Sequence, residues 1–360
     1  DMKKGYLYYL ASLENATERY LYRSKLNGKS SPELISPANQ KGYHGYNISP
    51  TGKWALHNYS SDTQPYIYDM VSLPKGKSVR IIEDNKRAKE QYDALEIIPK
   101  EFVKVDIGNN VILDAWIMKP RDFDASLKYP VIVEVYGEPG IPMVNNRWGG
   151  GNLWNQKMAD NGYIVVCMDN EGVNLPKGRE WRKCIYGSVG VLAAEEQAKA
   201  VVKMTETYDY MDRDRLGVTG WSGGGSMTLH CMFRFPDVYK VGIAIAAVSD
   251  QKLYDTIYQE RYMDTPQNNP EGYLKASPIN YTSGLEGKLL MVHGSADDNV
   301  HYQCFERVVN RLVANKKAFS TMVYPMCSHS LSERENTRYH LRMTQENYWL
   351  QNLKAGGINK

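Results

Sequence analysis

The pentapeptide Gly220–Gly224 has the pattern glycine, any residue, serine, any residue, glycine, with Ser222 at its centre. It follows a stretch that predicts a strand and opens a stretch that predicts a helix. A serine on so tight a turn exposes its hydroxyl, and the two glycines let neighbouring backbone pass close by. The pattern favours a nucleophilic serine, although a glycine-rich turn that only connects two elements would have the same sequence.

A nucleophilic serine needs a general base, and the base needs an acid that orients it. Leu289–His293 predicts a later strand, and the acidic pair Asp297 and Asp298 follows it. His329 lies just past the end of the next predicted strand. These positions predict a triad in the order serine, acid, histidine at successive strand ends. The pattern does not distinguish Asp297 from Asp298, and it favours a structural role for His293.

The tetrahedral intermediate of acyl transfer needs hydrogen-bond donors placed at its oxyanion. The backbone N–H of Gly223, directly after the serine, is the first candidate. The second is expected on the loop after Val131–Val135, which begins with Tyr136 and its phenolic hydroxyl. The alternative for Tyr136 is an aromatic residue that packs on the core at the end of its strand.

These groups must be held by a regular framework, and strands and helices alternate from Phe102 onward. Strands are predicted at Phe102–Asp106, Val111–Lys119, Val131–Tyr136, Tyr163–Met168, Leu216–Gly220, Val241–Val248, Leu289–His293 and Ser320–Tyr324. Helices are predicted at Leu153–Asn161, Val189–Thr205, Gly224–Phe235, Tyr254–Tyr262, Tyr302–Ala314 and Asn336–Leu353. Apolar strands that alternate with amphipathic helices indicate a mostly parallel sheet covered on both faces. We expect an α/β class protein with an α/β-hydrolase fold over residues 102–360.

The first 80 residues have a different, all-β pattern. Short tyrosine-rich runs separated by turn signals predict strands at Gly5–Leu10, Arg19–Leu26, Gly52–Tyr59 and Gln64–Val71. Their spacing fits one blade of a β-propeller, and a small β-sheet appendage fits as well. A single blade would leave its edges unpaired, so we expect the sequence to belong to a longer protein. Residues 81–101 are charged and helix-compatible and are predicted to be a linker.

Composition excludes several classes of function. The 360 residues carry a net charge of +3, which gives no electrostatic argument for binding nucleic acid. The longest apolar run, Val241–Val248, is far shorter than the roughly 20 residues of a membrane span. The five cysteines form no CxxC pair, and no ligand cluster or phosphate loop is present. We therefore expect no metal and no organic cofactor.

Several longer stretches resemble the prolyl oligopeptidase family, and its dipeptidyl peptidase IV branch most closely. The matching stretches are Val135–Pro139, Gly220–Ser222, Tyr254–Asp255, Tyr258–Met263, His293–Val300 and His329. The acidic loop and the Glu-Arg-Tyr-Met segment are far more specific than the serine motif. The first 80 residues resemble the last propeller blade before the hydrolase domain of this family.

The resemblance implies a role for each candidate residue. Ser222 would be the nucleophile, His329 the base and Asp297 the orienting acid, with Tyr136 and the Gly223 N–H as the oxyanion hole. The residues implied to bind substrate are Val248, Tyr254, Tyr258 and Val300, which would line a pocket for proline, and Asn299, which would hydrogen-bond the backbone of the preceding residue. The alternative is that the two tyrosines simply pack together at i and i+4 on a helix.

The function implied is that of a serine exopeptidase that removes dipeptides ending in proline or alanine from the N-terminus of peptides. The family usually has an aromatic residue after the nucleophile, whereas this sequence has Gly223, so proline specificity would be relaxed. The resemblance also implies a secreted or periplasmic protein and a homodimer. The alternatives are a tripeptidyl or acylaminoacyl peptidase or an esterase of the same fold, and a relative that binds without catalysing.

Overall fold

The computed structural model describes residues 1–149 and 152–359, and the chain divides into two compact units. The first comprises Asp1–Lys100, Val144–Trp154 and Leu175–Lys177. The second comprises Glu101–Met143, Asn155–Asn174 and Gly178–Lys360. Two segments that interrupt the α/β region along the chain thus belong to the first unit.

The first unit contains two antiparallel sheets. One consists of β1 (Tyr6–Ala11), β2 (Tyr20–Lys25) and β3 (Glu33–Leu34); the other consists of β4 (Tyr43–Ile48), β5 (Trp54–Ser60), β6 (Ile67–Ser72) and β7 (Lys77–Glu83). The prediction that the first four strands form one blade is wrong, because they are divided between these sheets. β3, β4 and β7 were missed: β3 has only two residues, β4 contains histidine, glycine and asparagine, and β7 is exposed along its whole length.

The segment predicted to be a linker is partly regular structure. Its first residues, 81–83, are the end of β7, and α1 (Lys86–Asp93) follows. The helical character expected there is therefore present. Tyr92 is its buried residue, and the Tyr92 ring packs edge-on against Trp148 with ring centroids 4.6 Å apart.

The second unit is built around a mixed sheet of nine strands in the described part of the chain. They are β8 (Glu101–Asp106), β9 (Ile112–Met118), β10 (Leu127–Glu134), β11 (Ile164–Asp169), β12 (Met211–Trp221), β13 (Val241–Ile245), β14 (Lys288–Gly294), β15 (Ser320–Tyr324) and β16 (Ile358–Asn359). The order is β15-β14-β13-β12-β10-β11-β9-β8, and β16 pairs with β10. The strands β10 to β15 pair in parallel, whereas β8, β9 and β16 pair in antiparallel fashion. The predicted fold class is confirmed.

Helices connect the parallel strands. They are α2 (Asn152–Asp160), α3 (Arg179–Lys183), α4 (Val191–Thr207), α5 (Gly223–Arg234), α6 (Thr256–Met263), α7 (Pro270–Ala276), α8 (Gln303–Ala314) and α9 (Thr337–Asn352). The helices α3 and α7 were not predicted, because five and seven residues are too few to show a helical period. In α7, the Asn269 side chain caps the Gly272 N–H at 3.0 Å and Pro270 occupies the first turn.

The parallel strands determine where functional groups can meet. The carboxyl ends of β10, β12, β14 and β15 all lie at one edge of the sheet. Apolar residues such as Val131, Val218 and Leu289 are fully buried along these strands, which holds the strands rigidly in register. Side chains on the loops that follow are therefore brought close together, although they are far apart in sequence.

Candidate active site

Ser222 lies on a strained turn between β12 and α5. Its φ of 61° and ψ of −120° are unfavourable for a residue with a side chain, at a cost of roughly 1–3 kcal/mol. The Ser222 N–H donates to the Ile245 carbonyl at 2.9 Å, which fixes the turn. A Cβ at Gly220 or Gly224 would lie 2.4 Å or 2.2 Å from the Val135 carbonyl oxygen. Both glycines are therefore required by the close approach of the chain after β10.

The acidic loop after β14 brings Asp297 to His329. The His329 Nδ1 lies 2.8 Å from the Asp297 Oδ2, and the Asp297 side chain is fully buried. The other carboxylate oxygen accepts the N–H groups of Asn299 and Val300 at 3.0 Å and 2.9 Å. Asp298 is exposed. The structure thus distinguishes the two aspartates, which the pattern alone could not do.

His293 makes a second contact with Asp297 that the sequence did not indicate. Its Nε2 lies 3.3 Å from the Asp297 Oδ2 and donates to the Val300 carbonyl at 2.8 Å. Burial alone would raise the pKa of Asp297. The contacts that His293 and His329 make with the carboxylate outweigh burial, and the pKa of Asp297 lies well below its usual range. Asp297 is therefore a carboxylate, and His293 holds it in place as a positioning residue.

Tyr136 lies two residues after the end of β10 and faces the serine. Its pKa is raised by burial first and then by Glu138 and Tyr254, whereas a hydrogen bond with the Ser222 side chain lowers it. The net shift keeps the phenol protonated, so it can donate. Gly223 is the first residue of α5, where backbone N–H groups have no acceptor within the helix. Two donors are thus available beside the Ser222 hydroxyl.

The serine and histidine side chains are not joined by a hydrogen bond in this conformation. Among the described residues, no hydrogen bond links the Ser222 hydroxyl to His329; the serine contacts Tyr136 instead. The Trp221 indole N–H donates to the His329 carbonyl at 3.1 Å, so the neighbour of the serine anchors the histidine loop. Hydrogen bonds of catalytic groups often tighten only when substrate binds.

The residues predicted to bind substrate also come together. Val248 and Val300 form a buried cluster with Cys304, and Tyr254 packs against it. The Tyr254 hydroxyl donates to the Asn299 Oδ1 at 3.0 Å. The rings of Tyr254 and Tyr258 meet edge to face, with centroids 5.5 Å apart. The valines are almost fully buried, so they form the floor of this region rather than an exposed surface.

Glu138 is a buried carboxyl that the sequence analysis did not single out. It lies on the loop after Tyr136, and a Cβ at Gly223 would be 2.7 Å from its carboxyl carbon. The Tyr258 hydroxyl lies 3.2 Å from its Oε2. The sequence carries only an indirect signal for this role of Glu138. Gly223, which has no side chain, follows the serine, and Glu138 is the one acid in an otherwise apolar loop after Tyr136.

Comparison with known proteins identifies the family to which the chain belongs. The family model of the prolyl oligopeptidase family matches residues 152–356, and the chain belongs to this family. The model of the dipeptidyl peptidase IV N-terminal region matches residues 1–66. The resemblance drawn from the motifs is thereby confirmed, and the family is one of serine peptidases.

The chain is similar to dipeptidyl peptidases in particular. Proteins named "Probable dipeptidyl-aminopeptidase B" from Emericella nidulans and Coccidioides posadasii are 32% and 33% identical to it. Both alignments cover 92% of this chain and 36% of the relative. The crystal structure of Porphyromonas gingivalis dipeptidyl peptidase 4 superposes with a TM-score of 0.91 at 34% identity, over 97% of this chain and 48% of that one. The chain thus spans about a third of the curated relatives and about half of the solved structure.

Among the described residues, no helix is both long enough and apolar enough to cross a membrane.

Proposed function

We propose that this chain carries the catalytic centre of a serine exopeptidase that releases dipeptides from the N-terminus of peptides. The observation that carries the proposal is the buried Asp297 carboxylate, 2.8 Å from the His329 Nδ1, at the sheet edge where Ser222 lies on its strained turn. The names of the similar proteins support the dipeptidyl specificity.

The groups act in two stages. His329 takes the proton of the Ser222 hydroxyl through Nε2, while the serine oxygen attacks the substrate carbonyl. The phenol of Tyr136 and the N–H of Gly223 donate to the oxyanion that forms. His329 then gives its proton to the leaving amine, which leaves an ester on Ser222. A water molecule, deprotonated by His329, hydrolyses that ester and restores the hydroxyl.

Asp297 makes this sequence possible by accepting the Nδ1–H of His329. The unprotonated Nε2 then faces the serine, and the imidazolium that forms is stabilised by the buried carboxylate. The strained backbone of Ser222 keeps its hydroxyl at the tip of the turn. Tyr254 and Tyr258 present flat aromatic surfaces above the buried Val248 and Val300, and such surfaces suit a proline ring or an alanine methyl.

The first experiment measures the intact mass after treatment with a fluorophosphonate. We expect one adduct on the parent chain, none on Ser222→Ala, and one on Ser328→Ala, a control serine next to His329. Activity would then be compared on dipeptidyl proline anilides with a free and with an acetylated N-terminus. Preference for the free amine supports a dipeptidyl peptidase, whereas preference for the acetylated form supports an acylaminoacyl peptidase. An adduct that persists in Ser222→Ala contradicts the proposal.

The domain organisation and assembly belong to the same proposal. Residues 1–80 are proposed to be part of a propeller, residues 81–101 a connection, and residues 102–360 the catalytic domain. We further propose a homodimer and a secreted or periplasmic location, supported by the family alone. Light scattering after gel filtration tests the dimer, and cell fractionation with an antibody to the chain tests the location.

A further inference from the structure

The carboxyl of Glu138 occupies the space beside the nucleophile that a side chain at position 223 would fill. A Cβ at Gly223 would lie 2.7 Å from both Cδ and Oε2 of Glu138, closer than Cβ atoms approach other groups. Gly223 has no left-handed φ, so its backbone conformation does not require glycine. The absence of a side chain at position 223 is therefore explained by the position of Glu138.

The hydrogen bonds of Tyr258 indicate which form the carboxyl takes. Its hydroxyl carries one hydrogen but lies 2.9 Å from the Pro139 carbonyl oxygen and 3.2 Å from the Glu138 Oε2. The carbonyl can only accept, and it is the nearer group, so it takes the hydrogen. The second contact is then a good hydrogen bond only if Glu138 carries a proton and donates to the phenol.

The surroundings of Glu138 agree with a neutral acid. It is 6% exposed, and burial raises its pKa to about 7, although the hydrogen bond with Tyr258 acts in the opposite direction. The titratable groups that face it are Tyr136 on its own loop, Tyr254 before α6 and Tyr258 within α6. Among the described residues, no lysine, arginine or histidine pairs with it.

We propose that Glu138 controls the rate of the proposed peptidase: as a neutral acid it forms the wall of the substrate site beside Ser222, and when ionised it opposes the oxyanion. Its charge would lie next to Gly223 and Tyr136, the two groups assigned to hold that oxyanion. A negative charge there raises the energy of the tetrahedral intermediate more than that of the neutral substrate. The inference rests on the proposed function.

The test compares the pH dependence of kcat/KM for the parent, Glu138→Gln and Asp298→Asn with a dipeptidyl proline anilide. Glutamine keeps the shape and cannot ionise; Asp298 is an exposed acid on the loop of Asp297. We expect kcat/KM of the parent to fall above about pH 7, by close to tenfold per pH unit. Asp298→Asn should show the same fall, whereas Glu138→Gln should stay level until the α-amino group of the substrate begins to titrate at about pH 8. A fall in Glu138→Gln equal to that of the parent overturns the inference and leaves the proposed function standing.

A second measurement does not depend on activity. Carbon NMR of glutamate side-chain carboxyls follows the titration of Glu138 directly, and Ser222→Ala makes the measurement independent of activity. Glu196 is another buried glutamate with a raised pKa, so Glu196→Gln is added to remove its resonance from the same pH range. One resonance should titrate near pH 7, and it should disappear when Glu138→Gln is added. If no carboxyl titrates between about pH 6 and 8, the inference fails, even if Glu138→Gln does not fold. If no variant hydrolyses peptides but this resonance is present, the proposed function fails while the buried neutral acid remains.

Discussion

Replacing Asp297 by asparagine tests the central pair most sharply, because the amide has the same shape and lacks the charge. Its Oδ1 can still accept the N–H groups of Asn299 and Val300, so the loop should keep its conformation. The amide Nδ2 would replace the carboxylate oxygen that lies 2.8 Å from the His329 Nδ1. That nitrogen donates a hydrogen, so His329 must accept at Nδ1 and carry its proton on Nε2.

The expected loss of rate follows from this change of tautomer. A protonated Nε2 cannot accept the proton of Ser222, and the imidazolium of the transition state loses its carboxylate. In a serine protease with this triad the same replacement lowers kcat by about 10⁴, which corresponds to about 5.4 kcal/mol. We expect a loss of about 10³–10⁴ in kcat here, since the hydrogen bond replaced is 2.8 Å long and its carboxylate is fully buried. KM should change little, because the Asp297 side chain is fully buried and so is shielded from a bound substrate.

The assay is steady-state hydrolysis of a dipeptidyl proline anilide, with the rate of fluorophosphonate labelling as a second readout. Asp298→Asn is the matched control; it is exposed, and we expect its kcat to lie within about twofold of the parent. If Asp297→Asn retains more than about a tenth of the parent kcat, the assignment of Asp297 as the orienting acid is refuted. Equal losses in both variants would also refute it.

The same replacement has a predictable effect on stability. The amide nitrogen would face the His293 Nε2–H, two donors across 3.3 Å in a buried position, at a cost of roughly 1–3 kcal/mol. The pKa of Asp297 is lowered in the folded state, so its contribution is present above the unfolded pKa near 3.9 and is lost as pH falls below it. The difference in Tm between parent and variant should therefore be constant near neutral pH and shrink below about pH 4.

Three further replacements test the packing and the buried charges. Gly223→Tyr should lower the free energy of unfolding by about 1–3 kcal/mol, because its Cβ would meet the Glu138 carboxyl. Adding Glu138→Gly should recover most of this loss, and equal Tm values for the single and the double variant would contradict the prediction. The first unit should lose stability between about pH 6.5 and 4, because burial lowers the pKa of His44 to about 4 and the unfolded chain binds the proton first. Circular dichroism melts of the parent should show this loss, and those of His44→Gln should show a smaller one, because His57, whose pKa burial also lowers, remains; an equal loss in both would contradict the prediction. Glu171→Arg should raise Tm by a few degrees, because it places a cation beside the buried Glu196, which accepts the Glu171 N–H at 2.8 Å and has a raised pKa. The control Glu171→Gln should give a smaller gain, and no gain in Tm for Glu171→Arg would argue against this ion pair.

Much of the framework could be predicted because its signals are local. The strand before Ser222, the helix after it and the later strands have apolar periods that neighbouring residues determine, and these elements are present. The order of Ser222, Asp297 and His329 along the chain was visible for the same reason. The elements that were missed, such as β7 and α3, are exposed or short, so they carry no period.

The sequence by itself determined the fold class, the tight turn that carries Ser222 and the chemical types available at the sheet edge. The tertiary structure decided which of them touch: Asp297 rather than Asp298 reaches His329, His293 supports that carboxylate, and Glu138 fills the space beside Gly223. These pairs come from loops that are far apart along the chain, and small differences in how the loops are placed decide whether two side chains come into contact. Sequence periodicity describes neighbours along the chain, whereas such contacts are set by how the buried strands pack side by side.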